Sequence, residues 1–120
     1  MKTATDRIAQ GDVMFRRVPA IPKGAKLVKR VGAIVVAHSE TGHNHVVEDP
    51  FVEQFDVPGN PLVCYLQLAD GVSDPGGVDV VHRRPWDTHE TVRLLGGPGD
   101  VWEVRRQREW TPEGWQRVAD

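Results

Sequence analysis

The chain has 120 residues, 39% hydrophobic and 27% charged, with a formal net charge of -2 at pH 7. That length suits one domain, leaves no room for a second, and buries enough surface to fold without a disulfide or a structural metal. No apolar run reaches the roughly 18 residues of a membrane span, the start Met1-Lys2-Thr3-Ala4-Thr5-Asp6-Arg7 lacks the apolar segment of a signal peptide, and 15 basic against 17 acidic side chains give no overall positive field for nucleic acid.

The single cysteine, Cys64, cannot form an internal disulfide. It sits in Leu62-Val63-Cys64-Tyr65-Leu66, where a buried, reduced thiol is expected, and a reducing cytoplasm is the expected compartment.

Glycine (12) and proline (9) are spread so evenly that the longest stretch free of both is Asp100 to Thr111, which nearly excludes long helices. Thr5 to Gln10 reads as a short helix or a frayed end. Apolar, β-branched runs follow at Val13 to Val18, Leu27 to Val31, Ala33 to His38, His45 to Val47, Leu62 to Leu68, Val78 to His82, Thr91 to Leu95, Val101 to Arg106 and Trp115 to Val118. Turn chemistry separates them at Pro58-Gly59-Asn60-Pro61, Asp74-Pro75-Gly76-Gly77, Gly96-Gly97-Pro98-Gly99 and Thr111-Pro112-Glu113-Gly114. Several runs alternate, as in Trp102 and Val104 against Glu103 and Arg105, so one face is core and the other solvent. The predicted fold is all-β: one small, mostly antiparallel barrel or sandwich with little or no helix.

The chemistry concentrates in His38-Ser39-Glu40-Thr41-Gly42-His43-Asn44-His45-Val46-Val47-Glu48, which holds three of the five histidines. Strand side chains alternate faces, so His43 and His45 project side by side if extended, placing two imidazoles where one cation can join them. His82 and His89, on or beside later strands, can supply the third ligand, with His82 as a fourth or substitute. Three neutral imidazoles with an open position make a catalytic type of metal site. The expected cofactor is a divalent ion, zinc first, with iron, manganese and nickel also open. Glu40 and Glu109 are the candidate bases for a metal-bound water. The zinc deaminase pattern fails, because His38-x-Glu40 must be followed by Pro-Cys-x-x-Cys and the chain has one cysteine.

His43-x-His45 followed by Glu48, with Pro75-x-Gly77 and His82 downstream, resembles a degraded form of the two cupin motifs over residues 37–82. That resemblance implies a small β-barrel carrying a His/His/Glu/His metal site. The spacings depart from the cupin pattern, with two residues between His45 and Glu48 and four between Gly77 and His82. A second set of motifs spans most of the chain: Gln10-Gly11-Asp12-Val13, Thr41-Gly42-His43-Asn44-His45, His89-Glu90-Thr91-Val92-Arg93-Leu94 and Gln107-Arg108-Glu109-Trp110-Thr111-Pro112. It resembles a family of small uncharacterised bacterial and phage-associated proteins. That resemblance adds weight to His43, His45, His89 and the segment from Gln107 to Trp110, and names no reaction.

The competing expectation is a non-enzymatic, phage-related module that contacts protein or nucleic acid through Arg83, Arg84, Arg105, Arg106 and Arg108 beside Trp102, Trp110 and Trp115. Trp86, set in turn chemistry, is a further candidate contact. The bland reading of the same residues is a solvated face neutralised by Glu103, Glu109 and Glu113. Nucleophilic and phosphate-loop chemistry find no supporting motif. A small molecule or a protein is the expected partner, with a homodimer through a free sheet edge also open.

Overall fold

The computed structural model describes residues 2–37, 44–70, 76–83, 88–106, 108–111 and 114–117; for residues 37, 83, 88–90, 108–111 and 114–117 the backbone alone is described. Among the described residues there is no helix, and two sheets pack as an open sandwich. The first sheet runs β1 (Lys2–Ala4), β10 (Thr88–Leu94), β9 (Val78–Arg83), β6 (His45–Val47), β5 (Ile34–Ala37). The second runs β2 (Arg7–Gln10), β3 (Val13–Val18), β11 (Val101–Arg106), β8 (Asn60–Leu68), β7 (Val52–Val57), β4 (Lys26–Val28). A separate ribbon joins β12 (Arg108–Thr111) to β13 (Gly114–Arg117). The sheets do not close on each other, so the sandwich is the correct member of the barrel-or-sandwich pair.

Every pairing is antiparallel except β1 with β10, which is parallel. The segment expected as a short helix, Thr5 to Gln10, instead contains β2, which forms a hairpin with β3. A four-residue strand satisfies its backbone on a neighbour, whereas an isolated turn of helix this short is unstable in water.

One core fills the space between the sheets. Val47, Val78, Val80, Val92 and Leu94 face Val13, Phe15, Leu66, Leu68, Trp102 and Val104 across it. A smaller cluster of Val63, Tyr65 and Val101 covers the outer face of the second sheet, with Val18, Ile21, Phe55 and Val57 packed on it. Both faces of β8 are therefore covered, which explains why Leu62 to Leu68 shows no polar alternation. Cys64 is free and buried, as expected. Where β9 begins, Gly77 has φ +128, and a Cβ there would lie 2.6 Å from the Leu94 carbonyl oxygen, so only glycine lets the two strands approach.

The outer face also carries a buried charge. Glu103, 6% exposed, accepts hydrogen bonds from the Tyr65 hydroxyl (3.0 Å) and Arg105 Nε (3.3 Å), with Arg16 Nη2 at 3.4 Å. Burial pushes its carboxyl up, but the bonds from Arg105 and Tyr65 and the charges of Arg105 and Arg16 outweigh that and hold it below the ordinary value of 4.5. A carboxyl depressed in the folded state stabilises above its unfolded value, and that contribution is lost as pH falls through the folded value. Glu103→Gln should thus cost about 1 kcal/mol at pH 7 and flatten the acid limb below pH 4.5. Urea unfolding at pH 7 and pH 3.5 checks it: an acid limb as steep as in the parent would assign the effect to other carboxyls.

Candidate functional site at one end of the sandwich

The β2–β3 hairpin turns on two residues, Gly11 and Asp12, with Gln10 paired to Val13. Gly11, at φ 58, takes the first central position that a type II′ turn reserves for glycine. This places Gln10 on the core face and Asp12 at the tip, and both are buried. At the same end, β11 finishes with Arg106 opposite Val13, β6 begins with His45, and β9 carries His82 opposite His45.

Parity sends both histidines inward, since His45 shares its face with Val47, and His82 shares its face with Val80 and Val78. Direct cross-strand partners on one face meet, and the two rings stack with centroids 4.0 Å apart and planes 11° from parallel. Both are fully buried.

Gln10 fixes the proton on His45. Its amide Nε2 donates to the Val80 carbonyl (2.9 Å), an acceptor that accepts only an N–H, so its Oε1 faces His45 Nδ1 at 2.8 Å. Nδ1 must therefore be the donating nitrogen. The other nitrogen, Nε2, faces Asp12 Oδ1 at 3.6 Å. A neutral ring protonated at Nδ1 would aim a lone pair at a carboxylate, so the contact calls for positive charge at Nε2, either a proton or a metal ion. An N–H hydrogen bond to oxygen spans about 2.7–3.2 Å. Two donor atoms each about 2.0–2.2 Å from one tetrahedral ion stand roughly 3.4 Å apart, which is nearer to this separation.

The candidate ligands fall into three groups. His45 and His82 are brought together, but as a stack. An ion in line with a ring nitrogen lies in that ring's plane, so nearly parallel rings direct their lone pairs along separate lines, and the two stacked rings do not converge on one ion. His89 sits on β10 opposite His82 in the backbone register, and Glu109 on β12 opposite Gln116; their side chains lie outside what is described. Glu40 and His43, with His38, lie outside the described residues. Among the described residues no group of three or more histidine, cysteine, aspartate or glutamate side chains is placed to hold a metal. Asp12 and Gln10 escaped the assignment of site roles, because a two-residue hairpin turn looks structural until its tip is seen folded over a histidine.

The tryptophan and arginine surface fares differently. Trp102 is fully buried, and its Nε1 donates to the Leu95 carbonyl at 3.3 Å. Arg105 is engaged with Glu103, and Arg106 is buried at 8% exposed. The side chains of Arg83, Arg84, Trp86, Arg108, Trp110 and Trp115 lie outside the described residues.

Residues 9–107 match a domain of unknown function, DUF8820. The chain belongs to the DUF8820 family. The match takes in the Gln10 to Asp12 turn, His43, His45, His82 and His89, and leaves Glu109 outside the DUF8820 segment. No curated protein and no solved structure matches this DUF8820 chain.

Proposed function

We propose that this DUF8820 domain holds a divalent metal ion, zinc first, with His45 Nε2 and Asp12 as two of its ligands. The observation that carries the reading is the 3.6 Å separation of those two atoms while Gln10 keeps the proton on the opposite ring nitrogen. An acceptor bonded to the far ring nitrogen in this way fixes the tautomer and aims the ring of a metal-bound histidine. His43 and His89 are the proposed ligands for the remaining positions, and Glu40 the proposed base. Bound there, the ion would supply Lewis acidity toward a water or a substrate oxygen, the chemistry of a metal-dependent hydrolase. The finer kinship with small bacterial and phage-associated proteins, and a reducing cytoplasm in which Cys64 stays a thiol, belong to the same proposal.

Elemental analysis of protein purified without a histidine tag tests it. One equivalent of metal is expected, with an Asp12→Asn variant losing it and a melting temperature that drops on adding chelator. Metal at one hundred times its Kd stabilises the fold by about 2.7 kcal/mol, a loss that is easily read. Metal-free protein whose melting ignores both chelator and added zinc would make His45 and Asp12 a buried ion pair and end the metal reading.

A further inference from the structure

One row of side chains crosses the outer face of the second sheet in register: Tyr65 on β8, Glu103 on β11, Arg16 on β3 and Arg7 on β2. Arg7 and Arg16 thus stand directly opposite each other on an antiparallel pair, where like charges destabilise a sheet. Arg105, two positions beyond Glu103 on β11, shares the face and lies diagonal to Arg16. All three side chains reach well into water, at 71% exposed for Arg7 and 54% for both Arg16 and Arg105. The carboxylates beside them are Asp6, 4.0 Å from Arg7 Nε, and the nearly buried Glu103, which meets Arg16 and Arg105 through the same oxygen, Oε1. A guanidinium carries five N–H donors, so one shared oxygen leaves most of those on Arg16 and Arg105 turned outward. The neighbouring sequence adds no acid: none occurs from Val13 to Ser39, and the exposed Lys23 follows on the link from β3 to β4, whose Ile21 packs on this face.

We propose that this patch binds the backbone of a single-stranded nucleic acid, with its phosphates on Arg7, Arg16 and Arg105 and its bases turned away. Three guanidiniums against two carboxylates leave the face positive in a chain that is negative overall, and the paired oxygens of a phosphate match the fork of an arginine. Phosphate charges belong to the main chain of their polymer, so pinning them freezes fewer torsions than pinning the glutamates of an acidic peptide. Neighbouring arginines stand about 5 and about 8 Å apart at the backbone, closer than the rails of a major groove about 12 Å wide, which favours a flexible strand over a duplex. The ring in this row, Tyr65, is buried and offers bases no stacking platform, so the binding is independent of sequence and carried by counterion release. Of the arginines singled out from the sequence, the patch uses Arg105 alone, and it shares no residue with the proposed metal site.

Fluorescence anisotropy of a labelled oligothymidylate of about 16 nucleotides, the upper size of a single-fold site, titrated with the full chain, tests it. EDTA is present throughout, so that failure here and failure of the metal reading stay distinct. Saturable binding is expected, with log K falling against log salt at a slope of about -2 for three phosphates, near a twentyfold loss between about 50 and about 200 mM salt. Arg7→Gln should weaken binding several-fold and bring the slope to about -1.4. Glu103→Gln should tighten it several-fold, a change of opposite sign that a damaged fold cannot mimic. Arg93→Gln, on the other sheet, should leave it unchanged. No saturable binding, a slope near zero, indifference to both Arg7→Gln and Glu103→Gln, an equal loss with Arg93→Gln, equal binding of an oligoglutamate of the same charge, or tighter binding of a duplex would overturn the assignment.

Discussion

Trp102→Ala should cost about 3–5 kcal/mol, the range for emptying a buried aromatic site. The indole is fully buried at the centre of β11, flanked in register by Arg17 of β3 and Leu66 of β8, and belongs to the cluster that joins the two sheets. Its removal also takes the Nε1 bond from the Leu95 carbonyl, next to the turn that leads from β10 into β11. Because β11 lies third in a six-stranded sheet, neighbours on both sides prevent the structure from collapsing into the void. Against a total stability of about 5–15 kcal/mol, such a loss leaves a large unfolded fraction at 37 °C. Urea unfolding followed by circular dichroism checks it. Trp102→Phe, which refills most of the volume, should recover more than half of the loss, and a cost below about 1 kcal/mol for the alanine would show that this core is not the one that joins the sheets.

Gln10→Leu should cost about 2–6 kcal/mol, summed from two buried groups that each forfeit a partner at roughly 1–3 kcal/mol. The substitution removes the acceptor at His45 Nδ1 and the donor at the Val80 carbonyl. Its effect on the site is more diagnostic than its effect on stability. Without the amide oxygen, His45 is released to place its proton on Nε2 and donate toward Asp12. If the ring serves as a ligand, metal affinity should fall by about 10–100-fold, as for other outer partners of metal-bound histidines. Gln10→Glu keeps an acceptor and should retain more affinity than the leucine variant. Equal metal content in all three proteins would separate Gln10 from the site.

The strands were most legible where a buried run stands between breakers. His45 to Val47 and Val101 to Arg106 coincide with β6 and β11, and Leu62 to Leu68 lies within β8. β7 was missed because Val52-Glu53-Gln54-Phe55-Asp56-Val57 lies towards the sheet margin, beside the edge strand β4, with Glu53 and Asp56 in water, so few of its side chains announce a core. β1 and β2 were missed for a related reason: Lys2 to Gln10 takes its strand character from partners distant in sequence. For the site, His45 and His82 could be singled out by type, and topology made them neighbours. Their stacking, and the roles of Gln10 and Asp12, depend on which nitrogen meets which oxygen, information that spacing along a chain does not hold. The arginines were grouped as one surface, yet Arg105 and Arg106 face opposite sides of a strand, one toward Glu103 and one inward to a buried position.

The parallel pairing of β1 with β10 sets Lys2 against Val92 and Ala4 against Leu94. Two residues later the chain has changed layers, for β2 lies in the other sheet, with the Arg17 amide bonded to the Asp6 carbonyl. The pairing joins segments some ninety residues apart in sequence, and such distant closures are slow to form. The run from Lys2 to Gln10 thus stitches the two layers together at the rim.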